Sequence, residues 1–151
     1  MSASRKERPG KPRERATKAQ RRAIEARARG LCEYCRCIRR YIPQPFNVEH
    51  IIPVARGGRT ILINLAWARA GCNLYKYNKV MAIDPLTGKR ARLFNPRRQR
   101  WSEHFTWSED TTSMIGLTAT GRATIKALRL NRAELINFRE AFRVLKLHPP
   151  G

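Results

Sequence analysis

Acidic residues are scarce in this sequence. Its 151 residues include only 11 Asp and Glu against 32 Lys and Arg, which gives a formal net charge of +21 at pH 7. So large an excess of positive charge favours a polyanionic partner. Nucleic acid is the first candidate for that partner, and an anionic membrane surface is the second.

Long apolar segments are also missing. The sequence has no run of 18 apolar residues, which excludes a transmembrane helix. The N-terminus is basic, but it lacks the apolar segment of a secretory signal. Only four cysteines occur, and in an intracellular chain a Cys-x-x-Cys pair more often indicates a metal site than a disulfide. We therefore expect a cytoplasmic protein with no membrane association.

The positive charge is concentrated in the first hundred residues. Residues 1–30 hold 11 basic and 3 acidic residues, and residues 31–100 hold 14 and 3, whereas residues 101–151 hold 7 and 5. We therefore expect the binding surface on the first hundred residues. The predicted organisation is a disordered basic arm over 1–16, a core over 17–100 that begins with a helix, and a C-terminal extension over 101–151 packed on that core.

Hydrophobic patterning predicts an α+β fold for the core. The segment from Thr17, a candidate N-cap, to Gly30 favours a helix. Alternation of apolar and polar residues predicts a strand that ends near Ile52, and the apolar run 61–63 predicts a short return strand. A helix is predicted from Asn64 to about Lys79.

The extension has a pattern of its own. The apolar and aromatic residues over 105–117 predict a hairpin, and two helices are predicted to follow it. Thr118 or Thr120 is the candidate N-cap of the first helix. Asn131 and Glu134 have the spacing of a capping arrangement for the second helix.

A group of polar residues in the core carries the chemical signal. Glu49 and His50 stand side by side at the end of the predicted strand, Asn64 follows, and Asn73 comes nine residues after it. Carboxylate and amide oxygens suit a hard divalent cation, and an imidazole is a base that works near neutral pH. A metal, a base and nearby cations are what metal-assisted phosphodiester cleavage needs.

Several features coincide in the segment from about Gly30 to Lys79. They are Cys32-x-x-Cys35, the string Glu49-His50-Ile51-Ile52-Pro53, Gly57-Gly58, Asn64-Leu65-Ala66 and Cys72-Asn73. Together they resemble the HNH nuclease family, which often carries Asp where Glu49 stands. The resemblance implies a ββα-metal core, in which a hairpin is followed by a helix, and an endonuclease that hydrolyses DNA.

The resemblance also implies roles for these residues. His50 is expected to be the general base, and Asn64 is expected to position the loop or the imidazole. Glu49 and Asn73 are expected to bind one divalent cation, which is Mg²⁺ or a substitute such as Mn²⁺.

The cysteines depart from the pattern seen in many HNH proteins. There, two Cys-x-x-Cys pairs bind a structural zinc ion, and the second pair would occupy positions 69 and 72. Position 72 is Cys72, but position 69 is Arg69, which is not a zinc ligand. Three outcomes stay open: Cys37 serves as the fourth ligand, zinc binds weakly with water in the gap, or the thiols of Cys32, Cys35 and Cys72 pack without metal.

Basic residues around the motif are candidates for contact with DNA phosphates, which give affinity without sequence choice. This set comprises Arg56, Arg59, Arg69, Lys76 and Lys79.

The alternative to a nuclease is a nucleic-acid-binding module on the same scaffold that does not cleave. A basic RNA-associated protein explains the charge but not the Glu-His-Ile-Ile-Pro string.

Overall fold

The computed structural model describes residues 15–151, so the predicted disordered arm over 1–16 lies almost wholly outside it. The described residues form five α-helices and three two-stranded antiparallel sheets, which confirms a mixed α and β protein. The helices are α1 (Lys18–Arg27), α2 (Ala70–Lys76), α3 (Trp101–His104), α4 (Ala119–Leu128) and α5 (Ala133–Val144). The paired strands are β1 (Asn47–His50) with β2 (Leu65–Ala68), β3 (Met81–Ile83) with β4 (Arg90–Arg92), and β5 (Phe105–Trp107) with β6 (Met114–Gly116).

Helix α1 begins with a complete capping box. The Thr17 hydroxyl accepts a hydrogen bond from the Gln20 backbone amide at 3.1 Å, and the Gln20 side chain accepts one from the Thr17 amide at 2.9 Å. Two arginines of α1 then donate to backbone carbonyls of the neighbouring hairpin. Arg21 binds Phe46 O at 2.8 Å, and Arg27 binds Leu65 O at 2.7 Å. These arginines therefore fasten α1 to the hairpin.

The β1–β2 hairpin shows that two predicted boundaries were wrong. The return strand is β2, not residues 61–63, and the helix begins at Ala70, not at Asn64. All four residues of β2 are buried, so its sequence lacks the alternation of apolar and polar residues that marks a half-buried strand. Without that alternation, the sequence of β2 predicts the start of the following helix instead of a strand. Residues 61–63 instead lie in an exposed connection that ends in a single 3₁₀ turn.

The sheet of β3 and β4 was not predicted as a pair, because each strand has only three residues. The turn between them is held by Asp84, whose side chain is fully buried. Its carboxylate accepts two hydrogen bonds from the Arg122 guanidinium, each at 2.9 Å, and one from the Leu86 amide at 3.0 Å. Since Arg122 lies on α4, this ion pair joins the core to the extension.

The extension contains the predicted hairpin and both predicted helices. Thr118 caps α4 by accepting a hydrogen bond from the Gly121 amide at 3.0 Å. Asn131 does not cap α5, whose N-cap is Arg132. The Asn131 amide instead bonds both backbone groups of Met114, at 2.7 and 2.9 Å, so that it holds β6 against the start of α5.

Contacts cross the predicted boundary at residue 100. The ring of Phe94 packs edge-on against Phe105 at 5.2 Å between centroids, and the Phe94 amide donates to the Thr124 hydroxyl at 2.9 Å. The boundary itself stays a prediction. Across residues 15–151, every helix is too short or too polar to cross a membrane.

We expect Asp84→Asn to destabilise the protein mainly above acidic pH. The Arg122 guanidinium holds the pKa of the Asp84 carboxyl well below its usual range. A depressed pKa in the folded state stabilises the fold above the unfolded value of about 4, and this contribution disappears as the pH falls below that value. The variant should therefore have a lower Tm at neutral pH and a smaller loss of Tm on acidification. Thermal unfolding at a series of pH values checks this, with Glu109→Gln at an exposed position as the matched control.

Candidate functional site

His50 is the last residue of β1, at the point where the hairpin strand enters the loop. Its Nε2 atom lies 2.9 Å from the Thr60 hydroxyl, across the loop that connects the two strands. The side chain is half-buried, so one part of the ring is packed while another part faces the surface. The Thr60 contact therefore orients the imidazole at the edge of the fold.

Asn64 closes the loop in which Thr60 lies. Its amide accepts a hydrogen bond from the Ile52 amide at 2.8 Å and donates to the carbonyls of Ile52 and Arg59 at 3.0 and 2.9 Å. The side chain is 8% exposed. One buried amide thus joins both ends of the loop and fixes the chain immediately after His50.

The two adjacent glycines of the loop serve different purposes. Gly57 has a φ of 87°, the left-handed conformation that glycine adopts without strain. Gly58 lies directly against the backbone of Ile52, where an added Cβ would overlap the carbonyl oxygen and come 3.0 Å from the Asn64 amide nitrogen. Gly58 is therefore required for the close approach that lets Asn64 bridge the loop.

Glu49 faces the interior, where it meets Lys76. Glu49 is 3% exposed and Lys76 is 1% exposed. The Lys76 Nζ atom is 2.5 Å from Glu49 Oε1, and the Tyr34 hydroxyl donates to Oε2 at 2.6 Å. Burial raises the pKa of the Glu49 carboxyl, and the Lys76 ammonium group opposes that rise. Both oxygens of the predicted metal ligand are thus engaged.

The prediction that Lys76 contacts DNA phosphates is wrong for this structure. Lys76 is the last residue of α2, and its ammonium group points inward to the end of β1, where it also binds the carbonyl oxygen of Ile51 at 2.9 Å. A buried lysine needs an anionic partner, and Glu49 supplies it.

Asn73 lies on the same helix as Lys76, three residues earlier. Residues three apart in a helix share a face, so Asn73 lies on the side of α2 that is directed at the end of β1. The side chain is half-buried, and it makes no hydrogen bond to another of the residues 15–151. Lys76 thus brings α2 to the strand end that carries Glu49 and His50, and Asn73 lies three residues earlier on that helix.

Three of the predicted phosphate contacts are exposed. Arg56 and Arg59 lie in the loop, and Lys79 follows α2. The Arg56 side chain donates to Asn78 O at 2.6 Å, which links the loop to the chain after α2 and brings this basic group together. Arg69 is different, because it is half-buried and its guanidinium lies 3.7 Å from the Cys37 sulfur.

The four cysteines are buried free thiols in one region of the core. The sulfur atoms of Cys32, Cys35 and Cys72 lie within 4.8 Å of one another, which is close enough for one metal ion to bind all three. Burial raises the pKa of Cys32 to about 12, so its thiol is protonated at neutral pH in the absence of a metal. Metal binding at this cluster must therefore release protons.

Sequence reasoning missed three residues of these sites. Thr60 and Tyr34 contact His50 and Glu49, and Arg132 of the extension reaches the Cys72 sulfur at 3.7 Å. The hydroxyl of Thr60, two residues after Gly58, could have suggested this residue as a partner for His50. Nothing in the sequence indicates that Arg132 meets a cysteine 60 positions away.

Comparison with known proteins identifies the class of this segment. Residues 32–79 match the model of the HNH endonuclease family. The match covers about a third of the chain and includes every residue predicted for the sites. No curated protein and no solved structure matches the chain. The resemblance drawn from the motif is thus confirmed for this segment.

We expect Asn64→Ala to cost about 2–3 kcal/mol of stability, because it removes three hydrogen bonds to partly buried backbone groups. Amide exchange at Ile52 should accelerate, since its amide loses the Asn64 acceptor. Denaturant unfolding and residue-resolved hydrogen exchange check this. Asn73→Ala is the matched control and should change stability by less than about 0.5 kcal/mol. Equal losses for the two variants would contradict a loop-closing role for Asn64.

Proposed function

We propose that the protein is an HNH-type endonuclease that hydrolyses DNA phosphodiester bonds with the help of a divalent cation. The observation that carries the proposal is the HNH match over residues 32–79, with His50 held at the strand end by Thr60 and by the loop that Asn64 closes. In this proposal β1, β2 and α2 are the counterpart of the ββα-metal unit of the family.

The donor atoms at the strand end fit a hard divalent cation. The Lys76 ammonium group lies among Glu49 Oε1, Ile51 O and His50 O, so this position already accommodates a positive charge surrounded by oxygen. We assign Glu49 and Asn73 as the residues that would hold Mg²⁺ or Mn²⁺. When bound, the cation would supply charge that stabilises the leaving oxygen.

His50 is assigned as the general base. The imidazole of His50 would take the proton from the attacking water, and the contact of its Nε2 atom with the Thr60 hydroxyl would orient the ring. Thr60 holds the ring plane while the proton moves. Asn64 acts through the loop, because it fixes both Thr60 and the chain after His50.

The exposed basic residues Arg56, Arg59 and Lys79 are assigned to DNA phosphates. Phosphate contacts of this kind supply affinity that falls with added salt and carry no sequence preference. Salt dependence alone does not separate a nuclease from a binding module, because both classes predict it.

We further propose that Cys32, Cys35 and Cys72 hold a structural zinc ion. Three buried sulfurs within 4.8 Å of one another suit zinc, and Cys37 is the candidate for the fourth ligand. Arg69 and Arg132 direct guanidinium groups at Cys37 and Cys72, at 3.7 Å each. These cations would offset the negative charge of a zinc–thiolate centre.

We expect the purified protein to carry about one zinc ion per chain. Cys72→Ser should abolish zinc binding and lower the Tm, and chelation should have the same effect on the parent protein. Because buried thiols must lose protons to bind, zinc affinity should fall as the pH is lowered. Zinc content by elemental analysis and the absorption of the Co²⁺-substituted protein check this. A Cys37→Ser variant with an unchanged Co²⁺ spectrum would exclude Cys37 as a ligand.

The nuclease itself is tested by plasmid cleavage with Mg²⁺ or Mn²⁺. We expect His50→Ala to reduce cleavage by roughly 10²- to 10⁴-fold, the usual contribution of a general base, while DNA binding on a gel stays unchanged. EDTA should abolish cleavage, and His104→Ala provides a histidine control outside the site. DNA that is bound but never cut, across metals, pH values and DNA forms, would favour the binding module instead. The engagement of Glu49 by Lys76 is the observation that keeps this alternative open.

A further inference from the structure

We propose that Lys76 is an internal cation that competes with the divalent metal for Glu49. The inference rests on the proposed nuclease function, and it deepens that function by naming how metal loading of the site is controlled. Its central observation is that the carboxylate expected to hold the metal already holds an ammonium group.

The geometry around Lys76 is that of a small cation site. Its Nζ atom lies 2.5 Å from Glu49 Oε1, 2.9 Å from Ile51 O and 3.3 Å from His50 O. The ammonium group donates to the carbonyls of Ile51 and His50 and forms an ion pair with Glu49. A divalent cation would seek the same kind of oxygen atoms at the same strand end.

Electrostatic repulsion prevents the Lys76 ammonium group and a divalent cation from binding Glu49 at the same time. Among residues 15–151, Glu49 is the carboxylate paired with Lys76, and Tyr34 already donates to its second oxygen. A divalent cation on Glu49 beside Lys76 would place three positive charges on one carboxylate in a buried environment, where repulsion is only weakly screened. Binding of the metal therefore requires the ammonium group to leave.

The position of Lys76 in the chain lets it leave without unfolding the domain. It is the last residue of α2, and the next residue, Tyr77, turns away from the helix at a φ of 48°. A lysine side chain is a flexible four-carbon stem with a compact charge, so the ammonium group can move outward while the helix stays in place. Helix α2 thus carries both a proposed metal ligand, Asn73, and the cation that competes with that metal.

The competition predicts that Lys76 weakens metal binding in the parent protein. Replacing Lys76 by Met keeps the length of the side chain but removes the charge. We expect Lys76→Met to bind Mn²⁺ at least about fivefold more tightly than the parent protein, the lower end of typical couplings between two ligands. Titration with Mn²⁺ followed by electron paramagnetic resonance measures this directly and requires no cleavage.

Lys79→Met is the matched control. Lys79 lies three residues further along and is exposed, and its ammonium group donates to the Tyr75 carbonyl at 3.0 Å. A general loss of positive charge would strengthen Mn²⁺ binding equally in both variants, and that result would overturn the proposal. Glu49→Gln should lose the effect, because the shared ligand is gone.

Folding of the variant is checked by thermal unfolding, because Lys76→Met leaves a buried carboxylate without its ion pair. The double variant Glu49→Gln with Lys76→Met removes both charges and serves as the folded reference. A second measurement uses the parent protein alone. Lysine acetylation read by mass spectrometry should increase at Lys76, but not at Lys79, when Mg²⁺ is added.

The outcomes separate this proposal from the nuclease assignment. Unchanged or weaker Mn²⁺ binding by folded Lys76→Met, or Lys76 acetylation that is insensitive to Mg²⁺, would refute the competition even if the parent protein cleaves DNA. Tighter Mn²⁺ binding without any cleavage by the parent protein would support the competition and count against the nuclease.

Discussion

One buried amide determines whether the site can exist. Asn64 reaches across the loop between β1 and β2 and bonds the backbone of Ile52 and Arg59. Through these bonds it sets the path of the chain after His50 and the position of the segment that carries Thr60. Gly58 is part of the same arrangement, because only a residue without a side chain lets the two loop segments approach closely enough.

Some of the arginines of this protein are used inside the fold. Arg97 pairs with the buried Glu33, Arg122 binds Asp84, and Arg139, which is itself buried, donates to the carbonyls of Thr112 and Leu130. These guanidinium groups link segments that have few apolar side chains to pack together.

The family resemblance was predictable because the spacing of the motif is local and its side chains are chemically distinctive. His50, Asn64 and Asn73 all fall in the segment that matches the HNH family. The position of strand β2 was predicted wrongly because both of its faces are buried. Its sequence therefore lacks the two-residue hydrophobic periodicity by which a strand is distinguished from a helix.

The partners of the motif residues were less accessible to sequence reasoning. Lys76 has the composition of a surface residue, and only the path of α2 past β1 shows that it is buried against Glu49, 27 positions earlier. The same holds for Arg132 and Cys72, which the sequence separates by 60 positions. Long-range pairs of this kind leave no periodic signal along the chain.

The contact between Arg132 and Cys72 shows that the HNH segment depends on residues outside it. Two nitrogen atoms of this guanidinium lie 3.7 Å from the Cys72 sulfur, and Arg132 stands at the start of α5 in the extension. The cysteine cluster is therefore completed by residues beyond the family match. An excised fragment of residues 32–79 would lose that cation, together with the Arg97 partner of Glu33 and the Arg27 partner of Leu65. The HNH segment of this protein is consequently not independent of its surroundings, and a chimera that carries this segment would need the flanking arginines as well.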